Sequence, residues 1–312
     1  MIQKVYISGL GAIGSIYAAR IHESDPAAVT VIADRERIGR YRQNGITVNG
    51  AVYPFRFILP DADTGPADLI LIAVKQHHLE QSIRDIRNFV GEETIILSLL
   101  NGITSEEIVG KQYGMDKLLY SFAVGTDAVR EGTHTRFSNI GRIVFGEKTN
   151  ASHSAKVTAV KEFFDRTRVP YQIPENMLRE LWWKFMMNVG INQISAILKA
   201  PYGIFQTVGE ARELLEMASR EVIALSRKTG INLTGDDLNN AVKIIQGLGP
   251  EGKSSMLQDV EAGRKTEVEI FAGTVIALGR EYGVDTPVNQ ILWRMIRTLE
   301  QTYESPMPVR QE

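Results

Sequence analysis

Lys184, Asn188 and Asn192 stand four residues apart within LWWKFMMNVGINQISAILKA, residues 181–200, a stretch that is otherwise almost wholly apolar. In a helix each step of four returns to nearly the same face, so this spacing predicts one ammonium and two amides pointing together. An ammonium can polarise or protonate an oxygen, and amides add directional hydrogen bonds without further charge. Asparagine is a poor helix-interior residue because its amide competes for backbone hydrogen bonds. The competing account is a buried helix whose amides bond to neighbouring helices, and the choice between the two has to come from elsewhere in the chain.

A second set of residues lies at the start. The apolar run IQKVYIS, residues 2–8, passes straight into Gly9-Leu10-Gly11-Ala12-Ile13-Gly14 and then into the helix-like SIYAARIHE. GxGxxG between a strand and a helix is a dinucleotide-binding pattern. Its first glycine makes the tight turn, its second lets a pyrophosphate approach the backbone, and its third lets helix pack on strand. The phosphates would lie on the helix N-terminus, where amide hydrogens lack partners and the dipole is favourable. The next strand, VTVIA at 29–33, ends in Asp34-Arg35-Glu36-Arg37. A carboxylate here bonds the ribose hydroxyls of NADH, whereas an arginine receives the extra phosphate of NADPH. Asp34 argues for the first. Arg35 and Arg37 argue for the second, or for a solvated charged loop.

These groups need a frame, and the pattern of the chain supplies one. The continuous apolar run at 68–74 reads as a parallel strand buried on both faces and ends at Lys75. A helix over 78–90 and a strand over 94–99 follow, the latter ending at Asn101-Gly102. Polar residues just past the carboxyl ends of parallel strands line the ligand crevice of such a sheet. Taken singly, Lys75 reads as a surface lysine and Asn101-Gly102 as a turn. ITVNG and VYPFRFIL read as a hairpin or edge strands, with further strands at 117–124, 142–145 and 170–173 and a helix at 154–168. From Pro174 the pattern is helical, including 209–230, 267–283 and 287–303. The expected fold class is therefore α/β, an N-terminal Rossmann-type doubly wound sheet over 1–173 followed by an all-helical domain over 174–312. The tail SPMPVRQE is expected to be loose.

Composition narrows the partners. A net charge of -2 gives no electrostatic reason to expect nucleic acid or an anionic membrane. The absence of cysteine removes disulfide and thiolate chemistry, and five histidines without ligand spacing predict no metal. Glycines interrupt the N-terminal run that could pass for a signal peptide, and Lys184 with its asparagines makes membrane insertion of 181–198 costly. The expectation is a cytoplasmic protein.

A third cluster, Ser254-Ser255-Met256-Leu257-Gln258-Asp259 followed by Arg264, Thr266 and Glu267, precedes an apolar helix. Thr266 and Glu269 have capping-box spacing, so one account of this segment is a helix start. Together with GLGAIG, Val74-Lys75, Asn101-Gly102 and the Lys184-Asn188-Asn192 row, SSMLQDxxxGRxTE resembles the ketopantoate reductase (2-dehydropantoate 2-reductase) family, in motif order and over residues 1 to about 300. The resemblance implies NADPH-dependent reduction of ketopantoate to pantoate on the route to pantothenate and coenzyme A, with NADH admitted by Asp34. It implies Lys184 and Glu267 as catalytic residues, with Asn188, Asn192 and Ser255 on substrate-contacting positions. Asn101 falls near both nicotinamide and substrate, and Lys75 near the cofactor. The chain departs from the family in having Asp34 where an arginine is usual, Phe137-Ser138 where many members carry a histidine, and Tyr202 where some have asparagine. Two other readings stand beside it. One is a β-hydroxyacid or opine-type dehydrogenase, which lacks the SSMLQD…TE segment. The other is a non-catalytic NAD(P)-sensing protein, which needs neither Lys184 nor Glu267. The helical half is large enough to form a homodimer.

Overall fold

In the computed structural model, which describes residues 1–304, the chain forms two compact units, Met1–Leu178 and a second from Arg179 onward. The tail 305–312 lies outside the described residues.

The first unit is built on twelve strands. They are β1 (Val5–Ser8), β2 (Val29–Ile32), β3 (Thr47–Val48), β4 (Ala51–Val52), β5 (Arg56–Ile58), β6 (Leu69–Ile72), β7 (Ile95–Ser98), β8 (Leu118–Val124), β9 (Val129–Glu131), β10 (His134–Arg136), β11 (Arg142–Gly146) and β12 (Tyr171–Gln172). Eight form one sheet in the order β12-β11-β8-β7-β6-β1-β2-β5, and β4-β3-β10-β9 form a smaller one. All pairs from β5 across to β8 are parallel, while β8 and β11 run antiparallel. The four-residue runs VYIS, VTVI, LILI and IILS are buried throughout because helices cover both faces. Side chains alternate between two cores: Ile7, Leu71 and Leu97 face one, and Tyr6, Ile70 and Ile96 the other.

The first core lies under α1 (Ala12–Ser24) and α5 (Ala155–Thr167), the latter capped by Ser154. Between these in sequence come α2 (Arg35–Asn44), α3 (Leu79–Asp85) and α4 (Ser105–Tyr113). The helix expected over 78–90 is broken: 3₁₀ turns at Gln76–His78 and Arg87–Phe89 flank the short α3. The expected hairpin divides, β3 and β4 joining the small sheet and β5 the edge of the large one.

The second unit carries α6 (Met177–Leu198, begun two residues before the division), α7 (Gly203–Thr207), α8 (Gly209–Lys228), α9 (Gly235–Gln246), α10 (Ser255–Glu261), α11 (Ala272–Tyr282) and α12 (Pro287–Glu304). Within this unit α6 lies close to α8. A Cβ on Gly190 would run into Ser219 Oγ, and that hydroxyl donates to Met186 O at 3.3 Å. Arg179 pairs with Asp237 at 2.7 Å, and Trp183 Nε1 donates to Asp237 O, tying α6 to α9. The single helix expected over 267–283 is a 3₁₀ turn, Val268–Ile270, followed by α11, with Phe271 at φ -100° and ψ -93° between them. The capping box expected of Thr266 and Glu269 does not form. Thr266 gives its backbone N–H and hydroxyl to Glu300, and Glu269 accepts from Trp293 Nε1. A distant carboxylate on α12 has taken the role that local spacing suggested for Glu269.

Candidate functional site

Strand register in the first unit brings its polar residues to one edge. Ser8 lies opposite Ile32 on β2 and Ile72 on β6, and Ile72 lies opposite Ser98 on β7. The segments that follow these four residues therefore leave the sheet side by side. They carry the glycine loop, Asp34, Lys75 and Asn101. Because β1 sits between β2 and β6, this edge is also where strand order reverses, the place where open α/β sheets hold ligands. His78 reports the proximity. Burial holds its imidazole below the usual histidine range, and the nearby charges of Arg37 and Lys75 push the same way.

The glycine loop separates what the fold needs from what a ligand needs. Gly9 has φ +102°, and a Cβ there would lie 2.7 Å from Val74 Cγ1 and 2.8 Å from the Ala73 carbonyl. A Cβ on Gly14 would overlap the carbonyl oxygen of Gly9. Both glycines are required by packing. Gly11 is different. It is exposed, it has φ -74° and ψ -167°, which any residue adopts, and a Cβ would come no closer than 3.6 Å to Ala73 O. Packing leaves Gly11 unexplained, whereas close approach of a phosphate over the backbone explains it. The first turn of α1 has no acidic residue and no side-chain cap, so its amides face an open side. Leu10 is buried beneath the loop, and Ala12 and Ile13 open the helix. These residues fit a dinucleotide pyrophosphate.

Asp34 is occupied in a second way. Its carboxylate caps α2 by accepting from Arg37 N at 2.7 Å, and it lies 3.5 Å from Arg37 Nε. Arg35, on the first turn, is exposed. Lys75 and Asn101 are half-buried, and Gly102 takes φ +90° beside Asn101. The Phe137-Ser138 segment is held down by local bonds: Phe137 N donates to Asn49 Oδ1, and Ser138 N and Asn139 N donate to Asp127 Oδ1. The sequence reading singles out nothing on the β9–β10 hairpin. Yet Arg130 reaches from it to the glycine loop, donating from Nη1 to Ser15 Oγ at 2.8 Å and to Gly11 O at 3.4 Å. No local pattern announces a contact across 115 residues. A cavity of about 720 Å³ runs along the β2–β5 edge, past Thr30, Tyr41 and Phe57, but no glycine-loop residue lines it.

In the second unit Lys184, Asn188 and Asn192 are all buried, with 7%, 9% and 5% of their surface exposed. Among the described residues no hydrogen bond joins the amide of Asn188 or Asn192 to another group, and neither amide is sealed from solvent. Gln193, next in sequence, shows the contrasting case. Its Nε2 donates to Val189 O at 2.9 Å and to Asn289 Oδ1 at 3.1 Å, and Asn289 in turn bonds Glu221. The Gln193 Oε1 is buried without a partner among the described residues, whereas the amides of Asn188 and Asn192 keep contact with solvent, where a ligand can reach them. Ser254 Oγ caps α10 through Leu257 N and meets Ser195 Oγ on α6 at 3.2 Å, so the first residue of α10, the exposed Ser255, is held close to α6. Tyr202, part of the same approach, donates its N–H to Gly252 O. Glu267 is half-buried at the start of the 3₁₀ turn, which packs against α11 and α12. Among the described residues no cluster of His, Asp or Glu could hold a metal ion, and no helix is long and apolar enough to cross a membrane.

Comparison with known proteins agrees with both halves. Residues 5–150 match the family model described as ketopantoate reductase PanE/ApbA, and 176–300 match its C-terminal counterpart. A 2-dehydropantoate 2-reductase of Aquifex aeolicus is 26% identical over 306 residues, which is 96% of this chain and 98% of the relative. Two solved structures of similar fold are a D-mandelate dehydrogenase with NADH and anilino(oxo)acetate and a dimeric ketopantoate reductase from Staphylococcus aureus. The first has TM-score 0.85 at 22% identity, and the second TM-score 0.79 at 22% identity. Each covers 96% of this chain and 99% of its own.

Two glycine variants test the division of roles in the loop. Gly14→Ala is expected to lower the thermal midpoint, as overpacking costs about 1–3 kcal/mol. Gly11→Ala is expected to leave the midpoint within the scatter of surface changes, roughly 0.5 kcal/mol, while weakening NADH and NADPH in a fluorescence titration. A Gly11→Ala protein that binds both as tightly as the parent would contradict the assignment.

Proposed function

We propose that this chain, which belongs to the ketopantoate reductase family, reduces ketopantoate or a related small 2-keto acid with a nicotinamide cofactor. The observation that carries the reading is the buried row on α6, an ammonium on the same face as two asparagine amides that bond no protein group among the described residues, in a chain whose glycine loop is open at Gly11. The cofactor, when bound, supplies the hydride that adds to the carbonyl carbon. Everything else falls to the chain's own residues. Lys184 Nζ polarises the carbonyl oxygen and gives it a proton, so that the alkoxide leaves as a neutral hydroxyl. Asn188, Asn192 and Ser255 hold the carboxylate and hydroxyl by directional bonds. Glu267 orients the substrate hydroxyl and tunes Lys184. Asn101 and Lys75 serve the nicotinamide end, and the glycine loop holds the pyrophosphate.

NADPH is the proposed donor, with NADH admitted because Asp34 presents a carboxylate at the end of β2. The product would feed pantothenate and coenzyme A synthesis in the cytoplasm. The two asparagines favour this reading over a cofactor sensor, since a protein that only senses nucleotide gains nothing from a solvent-reachable row of amides beside a lysine on an otherwise apolar helix. Steady-state kinetics with ketopantoate against both cofactors is the test. Lys184→Ala is expected to lower turnover by about a hundredfold or more, the usual cost of losing a general acid. Turnover at the parental rate would remove Lys184 from the reaction.

We also propose a homodimer through the second unit. Leu214 and Met217 on α8, and Ile291 and Met295 on α12, leave apolar side chains exposed on two helices packed together. Met217→Glu is expected to shift the mass measured by light scattering from dimer to monomer. A parent protein that is already monomeric would refute this arrangement.

A further inference from the structure

Arg130 is a half-buried cation without a counter-charge. Its guanidinium bonds Gly132 O from Nε at 2.9 Å, Ser15 Oγ and Gly11 O from Nη1, and the Tyr41 side chain, none of them a carboxylate. Among the described residues no carboxylate pairs with it. The charge that lies close is another cation, Arg40, and the ring of Tyr41 stands 5.9 Å from the guanidinium carbon. Withdrawing a cation partly from water without an anion is costly, and proteins rarely leave that cost unmet. The position says what would meet it. Ser15 and Gly11 belong to the first turn of α1 and its preceding residue, where the loop is open and amides face outward. Tyr41 belongs to α2, the helix that Asp34 caps.

We infer that Arg130 is a phosphate-binding residue of the dinucleotide site, its guanidinium completing from the β9–β10 hairpin the anion cradle begun by the glycine loop. The inference rests on the dinucleotide reading above and deepens it. The shared chemistry is a phosphate oxygen of the cofactor, either of the pyrophosphate or of the 2′-phosphate on the adenosine ribose. An arginine suits both, because its fork gives two parallel charge-assisted bonds. Its bonds to Ser15 and Gly11 hold it in place before the cofactor arrives. The same contacts could instead be a clamp that fastens the hairpin to α1, and that is the account to be separated.

The experiment is a fluorescence titration of the full chain and of Arg130→Met and Arg130→Lys with NADPH and NADH. Competing titrations use ADP and adenosine 2′,5′-bisphosphate, and the thermal midpoint of each unliganded protein is recorded. Arg130→Met is expected to keep the parental midpoint and to weaken binding by about tenfold or more, the scale of a lost charged hydrogen bond. Arg130→Lys is expected to recover much of that loss. Weakening confined to NADPH and the 2′,5′-bisphosphate places the arginine on the 2′-phosphate, and weakening of all four ligands places it on the pyrophosphate. Unchanged affinities overturn the inference, as does an equal loss in both variants accompanied by a lower midpoint, the mark of a clamp. A parent protein that binds no nicotinamide dinucleotide would instead sink the functional reading itself.

Discussion

The structure turns on the cost of placing polar groups in a helix that is buried along most of its length. α6 packs Leu181, Phe185, Met186, Val189 and Ile194 into the interior, and the same helix carries Lys184, Asn188 and Asn192. Polar groups in such a helix are costly unless they find partners, and the two amides, which bond no protein group among the described residues, keep contact with solvent. Gln193 is held through its Nε2 by Val189 and Asn289, with its Oε1 sealed from solvent. Gln193 is thus enclosed within the unit, whereas the amide of Asn192 is not sealed from solvent. Close approach of α6 to α8 at Gly190, and the Ser195–Ser254 bond, fix the row and bring the first turn of α10 beside it.

The glycine loop obeys the same logic in the first unit. Gly9 and Gly14 are dictated by contacts with Ala73, Val74 and each other, so they would be glycine whatever the unit bound. Gly11 is not dictated by anything in the protein, and it sits where the helix amides open outward. Strand register then delivers Asp34, Lys75 and Asn101 to the same edge, and His78, held less basic mainly by burial, also feels the positive charges of Arg37 and Lys75 there. A cationic edge around an open glycine is suited to a phosphorylated ligand.

Much of this was readable in the residues, for a physical reason. Parallel strands covered on both faces must be almost wholly apolar, and VYIS, LILI and IILS are, with a serine only at the end of the first and last, so strands and their polar ends could be placed from local runs. The four-residue spacing of the α6 row is likewise local. What escaped depended on distant partners. Thr266 and Glu269 look like a capping box until Glu300 and Trp293, more than twenty residues away, claim them. The run at 267–283 has helical periodicity, but the backbone breaks at Phe271. The 78–90 segment likewise splits into a short helix between two 3₁₀ turns. Arg130 meets Ser15 only because the small sheet places the hairpin against α1, an arrangement with no signature in the hairpin itself. Asp34, read as a ribose ligand, turned out also to cap α2, a task that its spacing to Arg37 could have suggested.

The central claim is that the row on α6 receives the substrate. A crystal structure with the oxidised cofactor and a 2-hydroxy acid tests it most directly. The account predicts the hydroxyl oxygen of that acid within hydrogen-bond distance of Lys184 Nζ, with the amides of Asn188 and Asn192 on its polar groups. A ligand bound in well-defined density away from all three side chains would contradict it.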